Sequence, residues 1–249
     1  MDKVKVIARL FTVFALLAMS QSFAAGGAAL DHADIDPGNK ASLQRGARNF
    51  MNYCSGCHSA KYVRFNTIGK YLELSEEQLI ENLMFNAEKT FETINTSMPA
   101  GSAERWFGTA PPDLSLMARA KGADYLYSFL RGFYLDPDSP TGVDNTVLSG
   151  TSMPHVLWEL QGYQKAMFSS HTEGGVGSHT FDGFEVVIDG SMADEDFDEF
   201  VRDTVNFLVY ISEPIRSERR KLGVWVLMFL IFFWILSVML KKQIWKDVK

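Results

Sequence analysis

Cysteine is scarce in this sequence, with two residues in a chain of 249, at positions 54 and 57. A fold held together by several disulfides is therefore excluded. Proline and glycine are also sparse, at eight and nineteen residues, and the chain contains no internal repeat or low-complexity tract. These shortages argue against a disordered or repetitive protein. The 47% hydrophobic content is enough for the core of one or two domains.

Charge is missing from a long stretch near the C-terminus. The nineteen residues 222–240 contain no Asp, Glu, Lys or Arg. As a helix rising about 1.5 Å per residue, they would cover roughly 28 Å, close to the thickness of a bilayer's hydrocarbon core. We predict a transmembrane helix at 222–240, preceded by a basic juxtamembrane segment at 216–221 and followed by a short tail at 241–249.

The N-terminus has the layout of a secretory signal peptide. Lys3, Lys5 and Arg9 precede a short apolar run, and small residues follow it. We predict a signal peptide at 1–25; an uncleaved N-terminal anchor is the alternative, although the apolar run is short for a span. Basic residues flank the predicted transmembrane helix on both sides, so they do not decide its orientation. The signal peptide predicts instead that residues 26–215 are periplasmic and that the tail stays in the cytoplasm.

The predicted exported domain is strongly acidic. Residues 26–215 contain 13 Lys and Arg against 27 Asp and Glu, whereas residues 216–249 contain 8 basic and 2 acidic residues. A domain of this charge does not bind nucleic acid by neutralising phosphates. It would attract a basic protein partner, although solubility alone is the simpler explanation. The densest acidic run, at 194–199, is interpreted as the solvated start of a helix rather than as a docking site.

Both cysteines belong to one short motif. Residues 54–58 read Cys-Ser-Gly-Cys-His, and this spacing is typical of c-type haem attachment. Two cysteines three residues apart on a helical turn can reach two edges of one porphyrin. The adjacent histidine then lies beneath the iron. We therefore expect one covalent haem c, tethered by Cys54 and Cys57 and ligated by His58, whose other ring nitrogen should donate to a carbonyl. A thioredoxin-like redox pair is the rival, but it would require a βαβ setting.

Helical patterns surround this motif. Apolar residues fall at helical spacing in 43–50 and 197–211, and Gly46 would allow the two helices to cross closely. Ser75 and Gln78 form a capping box that predicts a third helix, and a fourth is predicted at 123–132. No long alternating strand is evident. The predicted fold class is mainly α, a cytochrome c-like haem domain with insertions, plus a single C-terminal transmembrane helix.

The sixth ligand of the iron is open on these grounds. Methionine paired with histidine raises the potential of a haem, which suits electron transfer. Met98 and Met153 each precede a proline, which stiffens the backbone beside a ligand. The two are equal candidates, with Met192 and His155 behind them. Most methionines fill cores and ligate nothing.

Longer stretches of the chain resemble the cytochrome c1 family, the haem subunits of the ubiquinol–cytochrome c reductase (cytochrome bc1) complex, in its proteobacterial form. The resemblance covers nearly the whole mature chain. It depends on the Cys54–His58 motif followed by SAKYVRFN, on APPDLSLMARAKGADYLYSFLRGFY at 110–134, on MPHVLWELQG at 153–162, and on DFDEFVRDTVNFLVYISEP at 196–214. Residues 163–193 match no recognisable motif.

The resemblance implies further residues at the haem. It favours Met153 over Met98 as the sixth ligand and suggests Arg119 near a haem propionate, where an Arg–carboxylate pair is chemically sensible. It also implies that Pro111 and Pro112 pack beside the haem and that Tyr125 approaches its edge. The alternatives are a solvated arginine, an ordinary loop turn and a core tyrosine.

The resemblance also implies a function. The chain would pass single electrons from a Rieske iron–sulfur protein to a soluble or membrane-bound cytochrome c, in a complex with cytochrome b in the bacterial inner (cytoplasmic) membrane. It would have no catalytic acid, base or nucleophile, and would belong to an enzyme only as a subunit of the quinol–cytochrome c oxidoreductase. The alternative is a membrane-anchored monohaem subunit of another respiratory complex, a terminal oxidase or a nitric-oxide reductase. An open-iron enzyme or gas sensor is a further rival.

Overall fold

The computed structural model describes residues 30–173 and 176–247, with side chains for all of these except 170–173, 176–179, 217 and 247. The predicted signal peptide at 1–25 lies outside the described residues. The helices are α1 (Lys40–Asn49) continued by a π-helical turn (Phe50–Cys54), α2 (Phe65–Leu72), α3 (Glu76–Leu83), α4 (Ala100–Phe107), α5 (Met117–Lys121), α6 (Ala123–Arg131), α7 (Trp158–Gln161), α8 (Asp194–Ser212) and α9 (Arg216–Ile244), which ends in a 3-10 turn (Trp245–Asp247). Three antiparallel strand pairs accompany them: β1 (Ala60–Arg64) with β2 (Thr93–Ile94), β3 (Phe133–Leu135) with β4 (Val143–Asn145), and β5 (Gly162–Glu173) with β6 (Val176–Asp189). The fold is mainly α, as the sequence predicts.

The crossing of α1 and α8 forms the centre of the core. Gly46 makes this crossing possible, because a Cβ atom there would lie 2.0 Å from the Asp203 carbonyl oxygen and 2.8 Å from the Phe207 Cβ. Beside it, the buried rings of Phe50 and Phe207 pack with centroids 5.7 Å apart. At the edge of the crossing, Arg45 donates from Nε to one Asp203 carboxylate oxygen at 2.5 Å and from a terminal nitrogen to the other at 3.1 Å. The predicted close approach of two helices at Gly46 is confirmed.

Two short helices extend this core. The capping box predicted for α3 is present: the Gln78 N–H donates to the Ser75 hydroxyl at 3.1 Å, and the Ser75 N–H donates to the Gln78 side chain at 2.9 Å. At the end of α2, Tyr71 stacks on Tyr210 of α8 at 4.2 Å between ring centroids. Helix α8 thus contacts both α1, which leads into the Cys54–His58 motif, and α2.

Helix α6 also packs on the core, and ion pairs connect it to α8. Arg131, at the end of α6, donates from Nε to Asp198 at 2.6 Å and from a terminal nitrogen to Asp31 at 2.7 Å. Glu199 similarly pairs with Arg45 at 2.9 Å. Two of the five acidic residues in the run at 194–199 are therefore held by arginines of the domain itself. This placement agrees with the interpretation of the run as a helix face.

The long hairpin β5–β6 corrects the expectation that the chain has no long strand. Its strands pair from Gly162↔Asp189 to Glu173↔Val176, with register shifts after Tyr163 and Met167. Much of the hairpin's apolar surface is exposed, including Met167, Phe168, Val186, Val187 and Ile188. An apolar/polar alternation marks a strand only when one face is buried and register is regular. The sequence at 163–193 lacks that alternation because the bulges shift the register and many of the hairpin's described apolar side chains stay exposed.

The C-terminal helix α9 stands apart from the core. Residues Glu218–Ile244 form a helix long and apolar enough to cross a membrane, and none of the apolar window is buried within the chain. A core helix of a soluble domain would be mostly covered, so this exposure favours a single-pass anchor. The predicted span at 222–240 lies inside it. The helix is longer than predicted because the basic segment at 216–221 forms its first turns.

Candidate functional site

The Cys-Ser-Gly-Cys-His motif forms a tight turn at the end of the π-helical turn. The N–H groups of Cys57 and His58 both donate to the Cys54 carbonyl, at 3.1 and 2.8 Å. The Ser55 hydroxyl donates back to the Met51 carbonyl at 2.7 Å, and the Ser55 N–H donates to the Phe50 carbonyl at 2.9 Å. Because Phe50 is locked into the helix crossing, the two cysteines and the histidine are carried on a fixed base.

The two thiols are free and partly exposed. Burial, together with the neighbouring Cys57, raises the pKa of Cys54 to about 12. Burial also raises the pKa of Cys57. Both sulfurs are therefore protonated at neutral pH, whereas the reactive cysteines of disulfide oxidoreductases have lowered pKa values. The thioredoxin-like reading of the pair loses its chemical basis, and two adjacent free thiols remain available for covalent attachment.

His58 is oriented by one hydrogen bond. Its Nδ1 lies 2.8 Å from the Pro112 carbonyl, and because a carbonyl only accepts, Nδ1 carries the proton. Burial lowers the pKa of His58, against the opposing effects of that bond and of Asp113. The ring is therefore neutral and Nε2 keeps its lone pair for a metal. The carbonyl partner expected for this histidine is present.

A lattice of hydrogen bonds fixes the segment that supplies this carbonyl. The Leu114 N–H donates to the Ser59 carbonyl at 2.8 Å, and the Lys61 N–H donates to the Asp113 carboxylate at 2.9 Å. Pro112 itself is exposed, and Pro111 is partly buried. The sequence reasoning missed Asp113. The signal that could have revealed it is an Asp directly after two prolines, where its side chain can close a turn.

Met153 and Met98 lie on different loops. Met153 is half-buried and packs against the core, and its N–H lies 3.4 Å from the Thr151 hydroxyl oxygen. Met98 is also half-buried, and its loop is tied to the motif because the Thr96 hydroxyl donates to the Gly56 carbonyl at 2.7 Å. The structure thus brings both candidate loops to the domain that carries the motif.

The remaining candidates differ in burial. His155 is 6% exposed, and neither ring nitrogen has a hydrogen-bond partner within the described residues. Burial lowers the pKa of His155 to about 4. Met192 is half-buried and packs against the core. The side chains of His171 and His179 lie outside the described part of the chain.

Tyr125 and Arg119 occupy neighbouring short helices. Tyr125 is half-buried on α6, stacked on Phe129 with centroids 6.3 Å apart, and the Lys121 ammonium lies 5.3 Å from its ring centroid. Arg119, on α5, is exposed and makes no hydrogen bond or ion pair with the residues that the structure describes.

Several apolar side chains of this domain are only partly covered by protein. They pack against the core with part of each left exposed, and they include Leu114, Met117, Tyr125, Phe129, Met153 and Val156. A flat apolar group would complete the burial of such side chains. The two cysteines in their turn, the neutral imidazole and these side chains fit a covalently bound porphyrin. Together with the exposed C-terminal helix, they define the chain as a membrane-anchored c-type cytochrome.

Comparison with known proteins gives the family. A family model described as "Cytochrome C1 family" matches residues 35–248. Cytochrome c1 of Allochromatium vinosum is 44% identical over 240 residues, covering 96% of this chain and 98% of that protein. The ammonia monooxygenase gamma subunit of Nitrosomonas europaea is 42% identical over 219 residues, covering 88% of each, and cytochrome c1 of Rhodospirillum rubrum is 29% identical, covering 85% and 83%. The chain belongs to the cytochrome c1 family.

Proposed function

We propose that this chain is the electron-carrier subunit of a respiratory cytochrome bc1 complex. It would accept single electrons from a Rieske iron–sulfur protein and pass them to a soluble or membrane-bound cytochrome c, in contact with cytochrome b and the lipid bilayer. The observation that carries the proposal is the turn at 54–58, which holds two cysteines beside an imidazole whose Nδ1 is already hydrogen-bonded to the Pro112 carbonyl. The family assignment supplies the complex.

The residues of the chain have distinct roles in this proposal. Cys54 and Cys57 form the covalent tethers, and one such pair in the chain supports one haem c. His58 presents Nε2 to the iron, and its bond to the Pro112 carbonyl fixes the ring orientation and increases its basicity. Met153 would supply the second side-chain ligand of the iron. When bound, the haem supplies reversible one-electron chemistry, with a potential that methionine ligation raises.

Met153 is preferred to Met98 for two reasons. The resemblance of 153–162 to the family favours a methionine ligand there. Met153 is also one of the half-buried apolar side chains that pack against the core, as are Tyr125 and Phe129, whereas Met98 is not among them. Arg119, Pro111, Pro112 and Tyr125 are proposed at the periphery of the same haem, with Arg119 free to pair with a propionate.

The proposed topology follows from the two ends of the chain. The signal peptide at 1–25 would export the haem domain at 26–215 to the periplasm, and α9 would anchor it in the bacterial inner membrane with residues 241–249 in the cytoplasm. The predicted tail carries four lysines, but basic residues also precede the helix, so the proposed orientation depends on the signal peptide alone.

One relative has a name from a different enzyme. The N. europaea protein, named as an ammonia monooxygenase subunit, is nearly as similar to this chain as the A. vinosum cytochrome c1. Percentage identity therefore does not separate the two names. The match to the cytochrome c1 family model over 35–248 does favour the bc1 assignment, and no comparison favours a terminal-oxidase or nitric-oxide-reductase subunit.

Purification of the full chain in mild detergent, from cells competent for c-type haem maturation, tests the proposal. We expect haem that stays on the polypeptide after denaturation, a red-edge absorption band of methionine-ligated ferric haem, and copurification with a multi-haem cytochrome b. Met153→Leu should abolish the band, whereas the matched variant Met98→Leu should keep it. A colourless polypeptide, with its two thiols free or joined to each other, would refute the haem site.

A further inference from the structure

The loop that leads to Met153 folds around two buried polar side chains. Asp144 is 7% exposed and Asn145 is 0% exposed, and both stand at the end of β4, opposite Tyr134 and Phe133 of β3. Buried polar groups are costly unless they are hydrogen-bonded. Their partners therefore show what the burial achieves.

Asp144 is hydrogen-bonded to residues 149 and 150 of the loop. Its Oδ1 accepts from the Gly150 N–H at 2.7 Å, and its Oδ2 accepts from the Ser149 hydroxyl at 2.9 Å. Gly150 has a left-handed backbone with φ of 74°, which suits the sharp return of the chain toward the carboxylate. Burial alone would raise the pKa of Asp144, but these donors and the neighbouring backbone N–H groups hold it below its usual value. The side chain is therefore a charged, multiply bonded anchor.

Asn145 is hydrogen-bonded to residues 147 and 148 of the loop and also to helix α6. Its Oδ1 accepts from the N–H groups of Val147 and Leu148, at 2.9 and 3.3 Å. Its Nδ2 donates to the Phe129 carbonyl on α6 at 2.8 Å. Phe129 is one of the half-buried apolar side chains proposed to face the haem. Asn145 thus links the loop before Met153 to the helix that carries Phe129.

We propose that Asp144 and Asn145 are positioning residues for the Met153 thioether, and that their hydrogen bonds set how firmly the sulfur is held at the iron. The proposal rests on the proposed function, in which Met153 is the sixth ligand. Methionine has three rotatable side-chain bonds and does not fix its own position. Pro154 restrains the backbone after Met153. The two buried side chains restrain the loop before it, and Thr151 transmits the restraint through its contact with the Met153 N–H.

The test uses the full haem-loaded chain in detergent and compares three variants. Asp144→Ala removes the bonds from Ser149 and Gly150, together with the longer bond from the Tyr134 hydroxyl. Asp144→Asn keeps an oxygen for the Gly150 N–H and places an amide where the Ser149 hydroxyl can accept. Asp138→Ala, on the exposed β3–β4 turn, is the matched control, because it also removes one carboxylate. The readouts are covalent haem content, the red-edge methionine–iron band, the midpoint potential and the affinity of the ferrous haem for carbon monoxide.

We expect Asp144→Ala to retain covalent haem but to lose intensity in the red-edge band. Its carbon monoxide affinity should rise at least about tenfold, as expected when two hydrogen bonds to a buried charged group are lost. Its potential should fall. Asp144→Asn should restore the band, and Asp138→Ala should match the wild type. If Asp144→Ala fails to mature, Ser149→Ala removes one bond only and should shift the same readouts in the same direction.

Two results would overturn the inference in distinguishable ways. A normal band, potential and carbon monoxide affinity in haem-loaded Asp144→Ala or Ser149→Ala would show that the anchor does not position the ligand. A wild-type protein with covalent haem but without the methionine–iron band would instead remove Met153 from the site. That second result refutes the ligand assignment under the proposed function, and the positioning role falls with it.

Discussion

Gly46→Ala adds a single carbon atom, and the structure predicts that it destabilises the helix crossing at the centre of the core. The added Cβ would lie 2.0 Å from the Asp203 carbonyl oxygen, whereas ordinary contact begins at 3.4 Å, so α1 and α8 would have to separate by about 1.4 Å. Alanine stabilises a helix by about 1 kcal/mol relative to glycine, but overpacking a core costs about 1–3 kcal/mol or more. The obstructing atom is backbone and does not rotate away. The crossing also carries Arg45–Asp203 and Phe50–Phe207.

Because the obstructing atom is backbone, we expect the upper end of that cost and a net destabilisation of about 2 kcal/mol, which lowers the Tm of the haem-loaded chain by roughly 4–8 °C. Thermal unfolding followed by far-UV circular dichroism measures this shift. Gly101→Ala is the control, because no atom lies within 4 Å of its Cβ and it sits in the exposed first turn of α4. Its Tm should be unchanged or slightly raised. A Gly46→Ala protein that melts at or above the wild-type temperature would refute the close crossing.

Three further predictions follow from the contacts of the described residues. Asp113→Ala removes the acceptor that holds the segment beyond Pro112, so it should weaken the His58–carbonyl bond and shift the midpoint potential, measured by redox titration, while haem stays attached. The Ala33 N–H lowers the pKa of Asp124, with His32 adding to the effect. A lowered folded-state pKa adds stability above the unfolded value of about 3.9 and loses it as pH falls through the folded value. The Tm gap between wild type and Asp124→Asn should therefore open as pH rises through that window; an equal gap at pH 3 and pH 5 contradicts this. Truncation after residue 215 removes a helix with no buried apolar window, so the shortened domain should stay in the aqueous phase with an unchanged haem spectrum.

The local signals in the sequence predict most of the helices. The Ser75–Gln78 box begins α3, and the apolar stripe at 197–211 lies within α8. Gly46 is the one non-local feature that the sequence also reveals, because a lone glycine in an amphipathic helix favours a close crossing. The signals for the helices themselves act within a few residues, where backbone propensity and capping dominate.

The hairpin β5–β6 could not be predicted by the same reasoning. Its bulges shift the register twice, and its two faces are both largely solvent-exposed, so period-two patterning is lost. The adjacent glycines 174 and 175 are the remaining signal, since two glycines between potential strands favour a hairpin. The extent of α9 was also underestimated, because charged residues continue a helix beyond its apolar stretch.

Some residues of the candidate site can likewise be predicted from local sequence, whereas others are revealed only by the fold. The turn at 54–58 is local, so its spacing alone predicts the relation of both cysteines to His58. The partners of the site are distant in sequence: Pro112 reaches His58, and Asn145 reaches Phe129. Nothing in the sequence around position 144 marks that aspartate as buried. Only the fold shows that a polar Asp-Asn pair, ordinarily typical of an exposed turn, is enclosed.

The two sides of the proposed haem site differ in how firmly the chain holds them. His58 follows Cys57 directly and is fixed by the turn, by the Pro112 carbonyl and by the tethers themselves. Met153 depends on a loop whose order comes from a handful of side-chain hydrogen bonds around Asp144 and Asn145. Local opening takes place where few buried contacts must be broken. We therefore expect the methionine side to open first, so that a haem potential raised by methionine ligation would depend on the stability of that loop.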